Sequence, residues 1–156
     1  MSLPSPGTGL IGLNWVGTVI FTVTAILAVV DPDTFELSAV LVALVLFVIG
    51  MITMLWAFFI AVNRSRVDAI GVGGLYFGAG STPRLVRLHI LGATVIQLVV
   101  SIATASARPF TASAFGTLVP ILGIGIMGLW TARHGEFEPT DEPPTTQPEG
   151  DNAEEA

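Results

Sequence analysis

Four long apolar stretches set the terms for this chain. They run from about Leu10 to Val30, Phe35 to Val62, Leu85 to Ala107 and Ala112 to Ala132, and no Asp, Glu, Lys or Arg lies in the interior of any of them. A hydrocarbon core about 30 Å thick takes roughly 20 apolar residues as a helix. Inside lipid such a run has to satisfy its own backbone amides, and a helix does so. The pattern therefore predicts an all-α membrane protein: four transmembrane helices, arranged as two hairpins. Composition agrees, with 52% hydrophobic and only 12% charged residues, about half the charge of a soluble domain.

The joints carry the remaining information. Asn14, Thr18, Thr22 and Thr24 are the polar exceptions in the first run, and Asn14 lies near its start, where water or headgroups can satisfy the amide. Pro32, between Asp31 and Asp33, ends that run. Asp33 and Glu36 have capping-box spacing for the second helix. That run has 28 residues, about 42 Å of helix, so it must tilt or protrude. Thr82 before Pro83 reads as N-cap and first position of the third helix, which carries Arg87 and His89 near its start and Gln97 near its centre. The turn from Arg108 to Thr111 is short enough to make the third and fourth runs antiparallel neighbours. Pro120 predicts a kink in the fourth run that frees a backbone carbonyl, and Trp130 suits a membrane interface.

Val67–Pro83 links the two halves. It is apolar but holds five glycines, which makes it a poor helix. Alternating the spans puts Arg64, Arg66, Arg84, Arg87 and Arg133 on one side and Arg108 alone on the other. By the positive-inside rule the five-arginine side is cytoplasmic, and both termini with it. Met1–Gly9 has no basic residue, which argues against a cleaved signal and for an uncleaved first span. Residues 1–134 thus form the transmembrane domain. Residues 135–156 form a tail with eight acids, four prolines and no basic residue after His134, predicted to be disordered for want of apolar surface to bury.

Several motifs weigh less than they first suggest. Gly123-x-Gly125-x-x-Gly128 spells a dinucleotide fingerprint, but that motif needs a strand before it and a helix starting on it. Inside a membrane helix these glycines point to close helix packing. The linker lacks the lysine of a phosphate loop. The five arginines suit anionic lipid headgroups, at about 1 kcal/mol each, besides fixing orientation. Arg64 and Asp68 have the spacing to pair. His89 and His134 share one end of adjacent helices, but two histidines without a third ligand are a weak haem or metal signal. Gln97 is expected to bond a neighbouring helix, and Arg108 to clamp the hairpins through Asp31, Asp33 or Glu36. With no cysteine there is no disulfide, thiolate zinc site or iron–sulfur cluster. No ionisable relay sits within the spans for proton-coupled transport, and no nucleophile–base set or basic–aromatic pattern suggests catalysis or nucleic-acid binding.

Arg108-Pro109-Phe110, together with Leu129-Trp130-Thr131-Ala132-Arg133-His134-Gly135, carries a resemblance over the second half. The segment resembles the closing part of small four-span actinobacterial membrane proteins, and Ile70–Phe77 of the linker fits it more loosely. The resemblance implies a bacterial inner-membrane setting and transfers no catalytic residue. The lysine-free, Ala-, Val- and Gly-rich composition also suits a high-GC bacterial genome. The expectation for function is a non-enzymatic, cofactor-free interaction subunit whose partners are membrane lipids and other membrane subunits or itself. The alternative is a small transporter or channel lined by Asn14, Gln97 and the carbonyl freed near Pro120.

Overall fold

The computed structural model describes residues 7–65 and 71–137. Arg66, Asp68 and everything after Phe137, including most of the predicted tail, lie outside the described residues. Five α-helices follow in order: α1 (Thr8–Val30), α2 (Pro32–Arg64), α3 (Val72–Phe77), α4 (Arg84–Ala107) and α5 (Pro120–His134), with a 3-10 helix, Ala112–Leu118, before the last. No strand occurs among the described residues. Four segments are long and apolar enough to cross a membrane: α1, α2, α4 and the combined Ala112–His134.

Asp31 alone separates α1 from α2. Its N–H donates to the Leu27 carbonyl at 2.8 Å and closes α1, while its side chain accepts from the Thr34 N–H at 3.4 Å and caps α2. Pro32 then occupies the first turn, where its missing N–H costs nothing. The cap is therefore Asp31 rather than Asp33, and Pro32 opens α2 instead of only ending α1. With 33 residues, α2 measures about 50 Å, longer still than the sequence suggested.

The other boundaries differ from expectation for equally local reasons. Pro83 itself takes the N-cap place of α4 and makes no side-chain cap bond. The Thr82 hydroxyl instead meets the Thr131 hydroxyl at 3.4 Å. The fourth run is not one kinked helix but a 3-10 segment followed by α5, with Pro120 in the first turn of α5. The carbonyl that a proline in mid-helix would free, that of Gly116, accepts from the Val119 N–H at 3.1 Å. At the turn between α4 and the 3-10 helix, Phe110 takes a left-handed φ of 65° and is fully exposed, a conformation that costs an L-residue about 1–2 kcal/mol.

α5 is the most enclosed helix. It packs against α2 above all, then against α4, α3 and α1, while α1 also packs on α2 and α4. Glycine makes this approach possible. A Cβ on Gly50 would lie 2.6 Å from the Leu122 nitrogen, and one on Gly125 would fall on the Gly50 carbonyl oxygen. Gly123 faces Thr94 of α4, and Gly128 faces Tyr76 and Ala57. Each member of the Gly-x-Gly-x-x-Gly string thus admits a different neighbour, as helix packing in lipid demands. Trp130, expected at an interface, is enclosed by protein. It is 4% exposed within the core, packed on Gly7 and lying against the His134 ring, with centroids 5.3 Å apart.

The Gly-rich linker is better formed than its composition predicts. α3 docks Leu75, 4% exposed, against Ala57, Ala61, Leu129 and Ala132, and the Tyr76 hydroxyl donates to the Met54 carbonyl at 3.3 Å. Gly78 and Gly80, at φ 60° and 77°, turn the chain back into the left-handed region that glycine enters without strain. Ser81 then donates to the Gly74 carbonyl at 2.9 Å.

Candidate functional site: a buried polar seam and the cavity at its end

Asn14 and Gln97 come together in the bundle interior, both 0% exposed. The Gln97 amide nitrogen donates to Asn14 Oδ1 at 3.1 Å and to Thr18 Oγ1 at 2.7 Å. Asn14 Nδ2 donates to the Ile90 carbonyl at 3.0 Å. Thr18 gives its own proton to the Asn14 carbonyl at 2.8 Å, so it meets Gln97 as an acceptor, which orients the Gln97 amide. Gln97 Oε1 is buried and accepts no bond among the described residues. Asn14 is thus not satisfied by headgroups or water. It is satisfied by α4. Thr18, one of the polar exceptions of the first run, bonds both back to its own helix and across to α4; the Ile90 carbonyl was not singled out from the sequence.

Further along α4, Ser101 and Thr104 continue the row at helical spacing, 0% and 9% exposed. Each hydroxyl donates to its own helix, Ser101 to Leu98 and Thr104 to Val100 and Ser101. The Phe21 ring packs against Gly116, which also neighbours Ser101. Beyond it lies a cavity of about 20 Å³ bordered by α1, α2, α4 and the 3-10 helix, whose polar lining residues are Glu36, Thr104 and Ser113. Glu36 Oε1 accepts from the Ala112 N–H at 3.1 Å, tying the first turn of α2 to the start of the 3-10 helix. That bond is the cross-link at this end. Asp31, expected to meet Arg108, caps its own helix.

At the opposite end Arg64 turns inward. Its guanidinium donates to the Ala132 carbonyl at 3.0 Å and the Gly135 carbonyl at 3.3 Å, and stands 5.4 Å from the Phe137 ring centroid. It thereby caps the negative end of α5, and Glu136 N–H donates to the Ser81 carbonyl at 3.0 Å to hold residues 135–137 on the linker. Arg84, Arg87 and Arg133 remain exposed. His89 and His134 each bond a carbonyl four residues back on their own helix, Leu85 and Trp130 respectively, and no group of three metal-ligating side chains occurs among the described residues.

No protein-family model, curated protein or solved structure matches the chain.

Proposed function

We propose that this is a non-enzymatic, multi-pass protein of the bacterial inner membrane, built as two hairpins with both termini cytoplasmic, that serves as an accessory subunit of a larger membrane assembly or associates with itself. The observation that carries this reading is the groove between α1 and α2. It has a volume of about 380 Å³, is lined only by apolar residues such as Leu13, Val16, Val45 and Ile49, and has Gly17 among them. Small residues with flanking branched side chains are what a neighbouring helix packs against in lipid. Meanwhile Asn14, Thr18 and Gln97 bond to one another, which suits a structural use of the intramembrane polar groups. Arg84, Arg87 and Arg133 are placed to meet anionic headgroups. The chain has no cysteine, so a single Val45→Cys variant reports this face alone. Crosslinking in native membranes followed by pull-down is expected to recover a discrete partner or dimer. Recovery of monodisperse monomer only, from mild detergent and from the crosslinked membranes alike, would refute the reading.

A second reading, a small transporter or channel, is supported by the polar row that leads from Gln97 to the Glu36 cavity. Flux of protons, common ions or small solutes in liposomes tests it, and silence in all three rejects it.

A further inference from the structure

Phe110 stands in the turn between α4 and the 3-10 helix with its side chain wholly outside the fold. Among the described residues it is the only one other than glycine with a left-handed φ. A glycine would make the same turn without strain. A phenylalanine carries the cost of that conformation, and a fully exposed ring recovers none of it through contacts within its own chain. Strain that is kept under such conditions marks a site with a use outside the fold. The position of the turn selects what meets the ring. Only four residues join α4 to the 3-10 helix, and the segments on either side, Arg84–Ala107 and Ala112–His134, are both long and apolar enough to cross a membrane. His89 is the last ionisable residue at the other end of α4. Counted from there, a hydrocarbon core of about 30 Å runs out after roughly 20 residues, which is at the turn. Two residues up and two down lift its tip by at most about 7 Å. The headgroup layer is itself about 5–7 Å deep on each side, so the ring stays within it. Arg108 gives the same turn a positive charge, and Phe115 of the 3-10 helix adds a second aromatic ring, 46% exposed.

We propose that the Arg108–Phe110 turn is a lipid anchor. The Phe110 ring inserts at the glycerol–acyl boundary of the leaflet at the Asp31 end of the bundle, and the Arg108 guanidinium reaches the phosphates of the same leaflet. Burial of the ring in lipid offsets the strain of the turn. The anchor sets the depth in the bilayer at which the fourth span, with its 3-10 start, begins. It rests on the reading of the four segments as membrane spans and on no protein partner, and it stands apart from the α1–α2 groove.

The test places the photo-crosslinker p-benzoylphenylalanine in the full chain, in place of Phe110 or, as a reference, in place of Val95, which is 56% exposed midway along α4. Both chains are irradiated in native membranes and their adducts weighed by mass spectrometry. Phospholipid adducts are expected at both positions, on the glycerol and first acyl carbons at residue 110 and farther down the chains at residue 95. Phospholipid at residue 95, with only another protein, a second copy or no adduct at residue 110, overturns the anchor and leaves the spans standing. Absence of phospholipid at both positions overturns the spans and the anchor together. A second measurement uses vesicles of phosphatidylethanolamine and phosphatidylglycerol. Phe110→Ala keeps the left-handed strain and loses the ring, so its unfolding midpoint should fall by about 2–4 °C. Phe110→Gly also loses the ring but relieves the strain, and should melt above Phe110→Ala. A midpoint for Phe110→Ala equal to that of wild type overturns the proposal, because the exposed ring then meets nothing in the bilayer either.

Discussion

Thr18 and Gln97 show how a polar residue earns a place in an apolar helix. The Thr18 proton is spent on the Asn14 carbonyl, so its oxygen is free to receive Gln97, and each removal leaves a stranded partner. Interhelical hydrogen bonds in membranes average about 0.6 kcal/mol and reach about 1.7. A double-mutant cycle with Asn14→Ala and Gln97→Ala, read by unfolding in detergent, should therefore give a coupling of about 0.5–2 kcal/mol. Additive losses would show that the pair is not formed. Tyr76 makes a second residue-scale case. Burial raises its phenol above the ordinary value, so the fold favours the neutral form. The stability this provides is fully present below the ordinary phenol pKa of about 10 and is lost as pH climbs through the raised one. Thermal melts should show wild type losing stability above about pH 10 more steeply than Tyr76→Phe does.

Helices meet here through the residues that have least to offer a neighbour. Gly50 and Gly125 bring α2 and α5 within backbone contact, and a methyl at Gly125 would strike a carbonyl oxygen that cannot swing aside. Gly125→Ala is expected to cost about 3 kcal/mol, the upper end of overpacking penalties. Gly12→Ala meets nothing within 4 Å and should gain up to about 1 kcal/mol from helix propensity alone. Unfolding midpoints of the two variants in one detergent compare them directly. Arg64 acts between elements in another way, joining the end of α2 to the end of α5. Its fork reaches two carbonyls at once, which a lysine cannot imitate. Arg64→Ala and Arg64→Lys should both lower stability, Arg64→Ala by about 1–2 kcal/mol and Arg64→Lys by less, with hydrogen exchange rising first in residues 132–137. The existence of these helices was readable in the apolar runs. Their joints were less so: Asp33 matched a cap pattern as well as Asp31, which occupies that place, and Thr82 matched one better than Pro83, which takes the N-cap place without a side-chain bond. A capping pattern tells which residue types suit a helix end but not where the preceding helix stops.

Taken whole, the described residues have one end closed by α3, Arg64 and residues 135–137, and the other by Asp31 and the Glu36 bridge. The orientation proposed from the arginine distribution puts the Arg64 end in the cytoplasm. In right-side-out spheroplasts, a cysteine placed at Asp33 should react with a membrane-impermeant maleimide and one at Val72 should not, both sites being exposed. The reverse pattern would invert the topology. Hydropathy by itself determined the four spans and their all-helical class, because transfer into lipid is a sum over neighbouring residues and needs no knowledge of the rest of the chain. Only the tertiary structure decided which polar groups meet. Gln97 and Asn14 are 83 positions apart, and in an apolar solvent no burial of the surface selects how one helix is rotated against another. Glycine contacts and the geometry of the turns make that selection. They enclose Trp130 in protein, set Arg64 over the end of α5 and put Glu36 beside a cavity, neighbours that residue type alone does not name.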